Sequence, residues 1–239
     1  MSQLRTALLL SLALSATPVL AAQDQSKVVG AITAEAGQAH GDLETVTGAI
    51  SIRSGAQTGD ASTVNGAITV EDQARTGDLE TVNGAISVGA GVAIGGGVET
   101  VNGAVKLGRD AVVEGDVETV NGGIFIDHGG RIGGEVSNVN GGIGMIASQV
   151  GGDVETVTGD ITIGIGSHVK GGLKVEKDKS RIKFDSKRVP RIVIGPNAVV
   201  DGPLVFERPV TLYVHRSAKT GPITGATAKT FDTPTAPQE

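Results

Sequence analysis

Gly77-Asp78-Leu79-Glu80-Thr81-Val82-Asn83-Gly84-Ala85-Ile86 is one copy of a phrase that recurs through most of the chain. Its copies open at Gly41, Gly59, Gly77, Gly96, Gly115, Gly134 and Gly152, a period of 18 or 19 residues. A unit that short cannot enclose a core alone and must bury its apolar face against the next copy, which is the logic of a solenoid. With each copy numbered from its opening glycine, aliphatic residues recur at position three (Leu43, Leu79, Val98) and position six (Val46, Val82, Val101). They recur again at position ten (Ile50, Ile86, Val105) and position twelve (Ile52, Val88, Leu107). All four positions are expected to stack inward.

Positions ten and twelve bracket a polar or variable residue, the alternation of a strand buried on one face; a helix would need spacings of three and four. Position seven carries Asn65, Asn83, Asn102, Asn121 and Asn140, and position eight is glycine throughout. Asn-Gly tolerates positive φ, so this pair is expected to form a corner, with the asparagines as a structural ladder. Identical residues at identical phase favour parallel stacking over hairpins. The predicted fold is all-β: a single-stranded parallel β-helix (solenoid) with windings of 18–19 residues.

Working outward, residues 1–22 read as a signal peptide. Arg5 precedes an apolar run over Ala7 to Ala16, and Val19-Leu20-Ala21-Ala22 supplies the small residues of a cleavage site. That run is short for a membrane span, so no transmembrane segment is expected after cleavage, and the expected location is periplasmic or secreted. The chain has no Cys, which excludes structural disulfides and a lipidated N-terminal cysteine. Glycine at 37 of 239 residues, without a Gly-X-Y period, excludes collagen, and 39% hydrophobic residues in regular positions exclude disorder.

The β-helix is expected over 23–231, about ten windings, with a weakened first winding near Gln23 acting as a cap and a disordered tail over 232–239. Pro203, Pro209 and Pro222 cluster near its end and are expected to blunt an exposed strand edge. Position four carries Glu44, Glu80, Glu99, Glu118 and Glu155, and position two Asp42, Asp60, Asp78, Asp116 and Asp153. These rows could attract divalent cations or a basic partner; they read first as a solvated acidic flank that keeps a β-rich protein soluble.

The winding from Gly171 to Gly202 is 31 residues long, and its extra residues form an excursion at 177–190. Eight basic residues (Lys174, Lys177, Lys179, Arg181, Lys183, Lys187, Arg188, Arg191) face three acidic ones between 172 and 191, a balance of plus five. Residues 22–171 and 192–239 hold 11 basic and 23 acidic residues, or minus twelve. The basic excursion is the candidate contact surface. Its expected partners are phosphate-rich lipopolysaccharide, another anionic envelope polymer or the acidic rows of another copy; the alternative is that it folds back on the chain's own acidic flank. Nucleic acid is not expected for an exported acidic chain without stacking aromatics.

The run Ile192-Val193-Ile194-Gly195-Pro196-Asn197-Ala198-Val199-Val200-Asp201-Gly202-Pro203-Leu204 resembles bactofilins, polymer-forming bacterial β-helices with short windings. The phrase Val-Glu-Thr-Val-Asn-Gly-Ala-Ile is also similar to adhesin-like β-solenoid domains of exported bacterial proteins. Both resemblances imply a narrow β-helix with a structural or binding role. Val46, Ile52, Thr58, Val64, Val70, Thr76 and Val82 stand six residues apart, a spacing similar to left-handed hexapeptide-repeat β-helices, many of them trimeric acyltransferases. That resemblance implies a catalytic histidine. His40, His128, His168 and His215 fall in windings far apart, and 19-residue windings break the hexad, so a right-handed coil is favoured over a left-handed one.

The functional expectation is an exported, non-enzymatic structural or binding β-solenoid, a cell-envelope scaffold or adhesin-like module, with no catalytic, metal or cofactor-binding residues. The alternative is a carbohydrate-active β-helix enzyme, a polysaccharide lyase or hydrolase, for which Glu176, Asp178 and Asp185 of the excursion are the acidic candidates.

Overall fold

β-Branched runs interrupted by glycine corners give most windings three short strands. The computed structural model describes residues 22–177 and 188–237. In the winding that opens at Gly77 the strands are Leu79–Asn83, Ile86–Val88 and Ala93–Ile94. Every element among the described residues is a strand, and each pairs in parallel with its equivalent one winding away. The result is three parallel sheets of 11, 8 and 11 strands wound into a solenoid of about ten turns. Register follows the repeat: Val98 faces Val117, Glu99 faces Glu118, Thr100 faces Thr119 and Asn102 faces Asn121. Stacking continues across the long winding, where Ile161 pairs with Ile192 and Val169 with Val200.

A winding in the middle of the rod turns up to six side chains inward, two along each side. In the winding from Gly77 these are Leu79, Thr81, Ile86, Val88, Val92 and Ile94, all buried. This corrects the expectation for position six. Val46, Val64, Val82, Val101, Val120 and Val139 lie outside, 39 to 46% exposed, and position five is buried in their place. A strand alternates its faces with a period of two, so residues three apart, such as Leu79 and Val82, cannot both face the core.

The threonines at position five can be buried because their hydroxyls are satisfied. Thr63 Oγ1 donates to the Gly48 carbonyl at 3.0 Å, Thr81 to Gly66 at 2.9 Å and Thr100 to Gly84 at 3.0 Å. Each bond ties a strand to the corner of the preceding winding and leaves the methyl in the core. In the third sheet Ser148 and Ser167 stack on the inner row that also holds Ala111 and Ala198, and their Oγ atoms have no hydrogen-bond partner; nothing in the structure explains them.

The corners also differ from expectation. None of the Asn residues at position seven has positive φ, and at position eight only Gly48 (φ 159°) and Gly141 (φ 127°) do, whereas Gly66, Gly84, Gly103 and Gly122 do not. These glycines are required by space: a Cβ on Gly103 would stand 1.8 Å from the Gly84 carbonyl oxygen. The regularly left-handed backbone sits at position fifteen, in Gly55 (φ 68°), Gln73 (φ 59°), Gly91 (φ 65°) and Asp110 (φ 56°).

The aspartates at position two, most of them exposed, also form a clasp between windings. The Asp60 N–H donates to the Asp42 carboxylate at 3.0 Å, Asp78 N–H to Asp60 at 2.9 Å, and Gly97 N–H to Asp78 at 2.6 Å. Two of the prolines fit the same device. Where Gly172 and Pro203 occupy position two and offer no carboxylate, the next winding carries Pro203 and Pro222, which have no N–H to satisfy. Pro203 is therefore an internal corner residue whose carbonyl accepts the Leu173 N–H at 3.0 Å, and not an edge blocker.

Candidate functional surface

Outward positions repeat as faithfully as inward ones, so each residue type becomes a row along the rod. The asparagine ladder is continuous: Asn83 Nδ2 donates to Asn65 Oδ1 at 3.0 Å, Asn102 to Asn83 at 2.9 Å, Asn121 to Asn102 at 3.0 Å and Asn140 to Asn121 at 3.3 Å. Thr158 closes it by donating to Asn140 Oδ1. Each amide uses its donor on the winding before and its acceptor on the winding after, so the row rigidifies the corner.

The candidate basic residues fall into two groups. Lys179, Arg181, Lys183 and Lys187 lie outside the described residues. Lys174 stands in the glutamate row, paired in register with Glu155, and its Nζ binds Glu176 and lies 3.8 Å from Glu155. The bond to Glu176 leads the effects that raise its pKa. The Lys177 N–H donates to Glu207 Oε2 at 3.2 Å. Arg188 pairs with Asp160 Oδ2 at 2.5 Å. The Arg191 N–H donates to Asp160 Oδ1 at 2.8 Å, while its guanidinium lies 5.1 Å over the Tyr213 ring and donates to the Pro237 carbonyl at 2.9 Å. Lys174, Arg188 and Arg191 thus turn back onto the chain's own acidic and aromatic groups. Near the chain end Ala236 packs against Val193, Tyr213 and Phe231.

The surface that sequence reading passed over lies on the outer face of the first sheet. Glutamates at position four and valines at position six point out from the same strands, two residues and roughly 7 Å apart. Between the two rows runs a groove of about 620 Å³, lined by residues that include Glu80, Val82, Glu99, Val101, Glu118 and Val120. Glu135, from position two, joins the wall where Ser137 interrupts the glutamates, and Glu176 is among the residues at its far end. The alternation rule alone, applied from position three, would have placed the valines here.

The carboxylates strain against one another. Desolvation, followed by the charges of Glu99, Asp78 and Asp60, pushes Glu80 above the ordinary carboxylate range. Glu135 is raised by burial and then by Glu155 and Glu118. A carboxyl whose pKa rises on folding holds its proton more tightly in the folded chain, so its ionised form subtracts stability above the folded value. That loss is relieved as pH falls through the folded pKa, and relief is complete below the unfolded one. Glu80→Gln is therefore expected to raise the melting temperature at neutral pH and to give no advantage below the unfolded carboxylate pKa. Glu80 is exposed by area, so the gain is less than about 1 kcal/mol. Thermal melts of both proteins at the two pH values check this; an equal gain at both would exclude relief of charge repulsion as its source.

Four histidines sit apart. His128 pairs with adjacent Asp127 at 2.5 Å, His168 Nε2 with Asp201 at 2.7 Å, His215 with Ser217 at 2.8 Å, and His40 with Gln25 at 3.2 Å. Among the described residues no three His, Cys, Asp or Glu side chains gather as metal ligands. The chain matches no family model, no curated protein and no solved structure.

Proposed function

We propose that the chain is an exported, non-enzymatic β-solenoid that serves as a structural or binding module of the cell envelope, akin to bactofilin-like or adhesin-like short-winding solenoids. What supports this reading most is that Asn, Glu and Val rows repeat in register from winding to winding on the outer surface. A surface with translational repeat suits a partner that is itself extended, whereas a reaction centre needs a few unlike groups converging at one point. Export is supported by the apolar run after Arg5 and the small residues ending at Ala22.

The basic excursion is its contact surface for an anionic envelope polymer, supported by the excess of five positive charges over 172–191 against an acidic remainder. The test is retention on an immobilised anionic glycan across salt concentrations, with the same glycan assayed for cleavage. Salt-sensitive retention lost in the combined Lys177→Ala, Lys179→Ala, Arg181→Ala and Lys183→Ala variant is the expected result. Unchanged retention in the variant would remove the excursion as the contact. Newly released reducing ends would overturn the non-enzymatic reading.

A further inference from the structure

The groove on the first sheet has two unlike walls, and an occupant must answer both. On one side Glu80, Glu99 and Glu118 bring three carboxylates into register on successive windings, spaced by the separation of neighbouring strands, about 4.8 Å, and Glu135 of the next winding adds a fourth from two residues earlier. Among the described residues no cation forms an ion pair with any of these four; the Lys174 ammonium meets Glu155 and Glu176 farther along. On the other side the valine row from Val64 to Val139 presents an apolar wall left open by the described residues, each side chain about 40% exposed.

Charge complementarity decides among the possible occupants. A second copy placed groove to groove would set one carboxylate row against another and is disfavoured. A divalent cation would answer the carboxylates and leave the valines uncovered. A linear polyamine answers both walls. Ammonium groups joined by a trimethylene spacer lie about 5 Å apart, four bonds of about 1.5 Å in an extended zigzag. That distance nearly equals the winding rise, so successive ammoniums can meet successive glutamates without strain. The intervening methylenes then lie along the valines, where burial of apolar surface favours them.

We propose that the groove between the glutamate and valine rows is a docking site for a linear polyamine with trimethylene spacing, lying parallel to the rod axis. The inference deepens the binding-module reading and rests on it, but its test substitutes residues other than those of the basic excursion. Loss of glycan retention therefore leaves it standing, and its own failure leaves the excursion untouched. The site uses neither catalysis nor a metal.

The experiment is calorimetric titration of the full chain with bis(3-aminopropyl)amine at low and moderate salt. Saturable, salt-sensitive binding is expected. The double variant Glu99→Gln and Glu118→Gln should weaken it at least tenfold. The double variant Val101→Thr and Val120→Thr, which keeps β-branched side chains on the strand, should weaken it about threefold. Glu44→Gln lies on the same row but outside the groove lining and should change nothing. Circular dichroism melts confirm that each variant is folded. Absence of saturable binding by the wild-type chain overturns the proposal. So does a loss in Glu44→Gln equal to that in the groove variants, or indifference to the valine substitutions. If octalysine binds through the same residues while the polyamine does not, the groove is a basic-peptide site and the proposal is wrong.

Discussion

Gly103→Ala is expected to destabilise the fold by about 3 kcal/mol or more, although the backbone there is not left-handed and alanine has no conformational objection to it. The added Cβ would stand 1.8 Å from the Gly84 carbonyl oxygen and 2.5 Å from its carbon. Both atoms belong to backbone that cannot move alone, because Gly84 N–H is bonded to the Asn102 carbonyl and Gly103 N–H to the Asn121 carbonyl. The windings would have to separate locally. Gly37→Ala supplies the contrast: its φ is 66°, and a Cβ there meets nothing within 4 Å. Only the left-handed penalty of roughly 1–2 kcal/mol applies. Urea denaturation of the two variants checks the pair, and a larger loss at Gly37 than at Gly103 would contradict the close-stacking account of position eight.

Ile86→Ala should cost about 2–5 kcal/mol. Ile86 is completely buried and lies in register between Ile68 and Val105. The core is a single narrow column, and the residues above and below are held by ladder hydrogen bonds, so the vacated volume cannot be filled by a shift of either neighbour. Ile223 lies in the last winding, half-buried, with a strand on one side only. Truncating Ile223 to alanine should cost about 1 kcal/mol, the transfer of the methylenes it does bury. Denaturant midpoints compare the two; equal losses would mean that the column is as compliant in its middle as at its end.

How much of this was legible follows from which signals are periodic. The parallel stack was readable because the phrase around Leu79 and Ile86 repeats at one phase, and stacking preserves phase. Residue type alone misled at positions five and six: valine is the more apolar, yet Thr81 is buried and Val82 is not. The hydroxyl of Thr81 finds the Gly66 carbonyl only once the preceding winding is in place, and a bond of that kind leaves no local mark in the sequence. The inner rows of the third sheet were passed over because they run through Ala56, Ala74 and Thr76 before reaching Val92 and Ile94, so they carry weak hydropathy in the early windings. The groove went unread for the same reason as the valines, since an apolar residue assigned to the core cannot also line a surface. Asp60 and Asp78 looked like Glu80 and Glu99 in charge; their shorter reach lets them bind the next backbone N–H, and the glutamates remain for the groove.

The registered pairing of like with like has a bearing on how such a chain can change length. Excising Gly96 to Glu114 would bring Gly95 directly before Gly115 and set Leu79 against Val117, Glu80 against Glu118 and Asn83 against Asn121, the same kinds of neighbours that each has now. A whole-turn gain or loss is thus nearly silent to the interior, as is extra chain looped out at a corner, while a cut inside a strand would shift that strand against both neighbours. The molecule behaves as a ruler graduated in single turns.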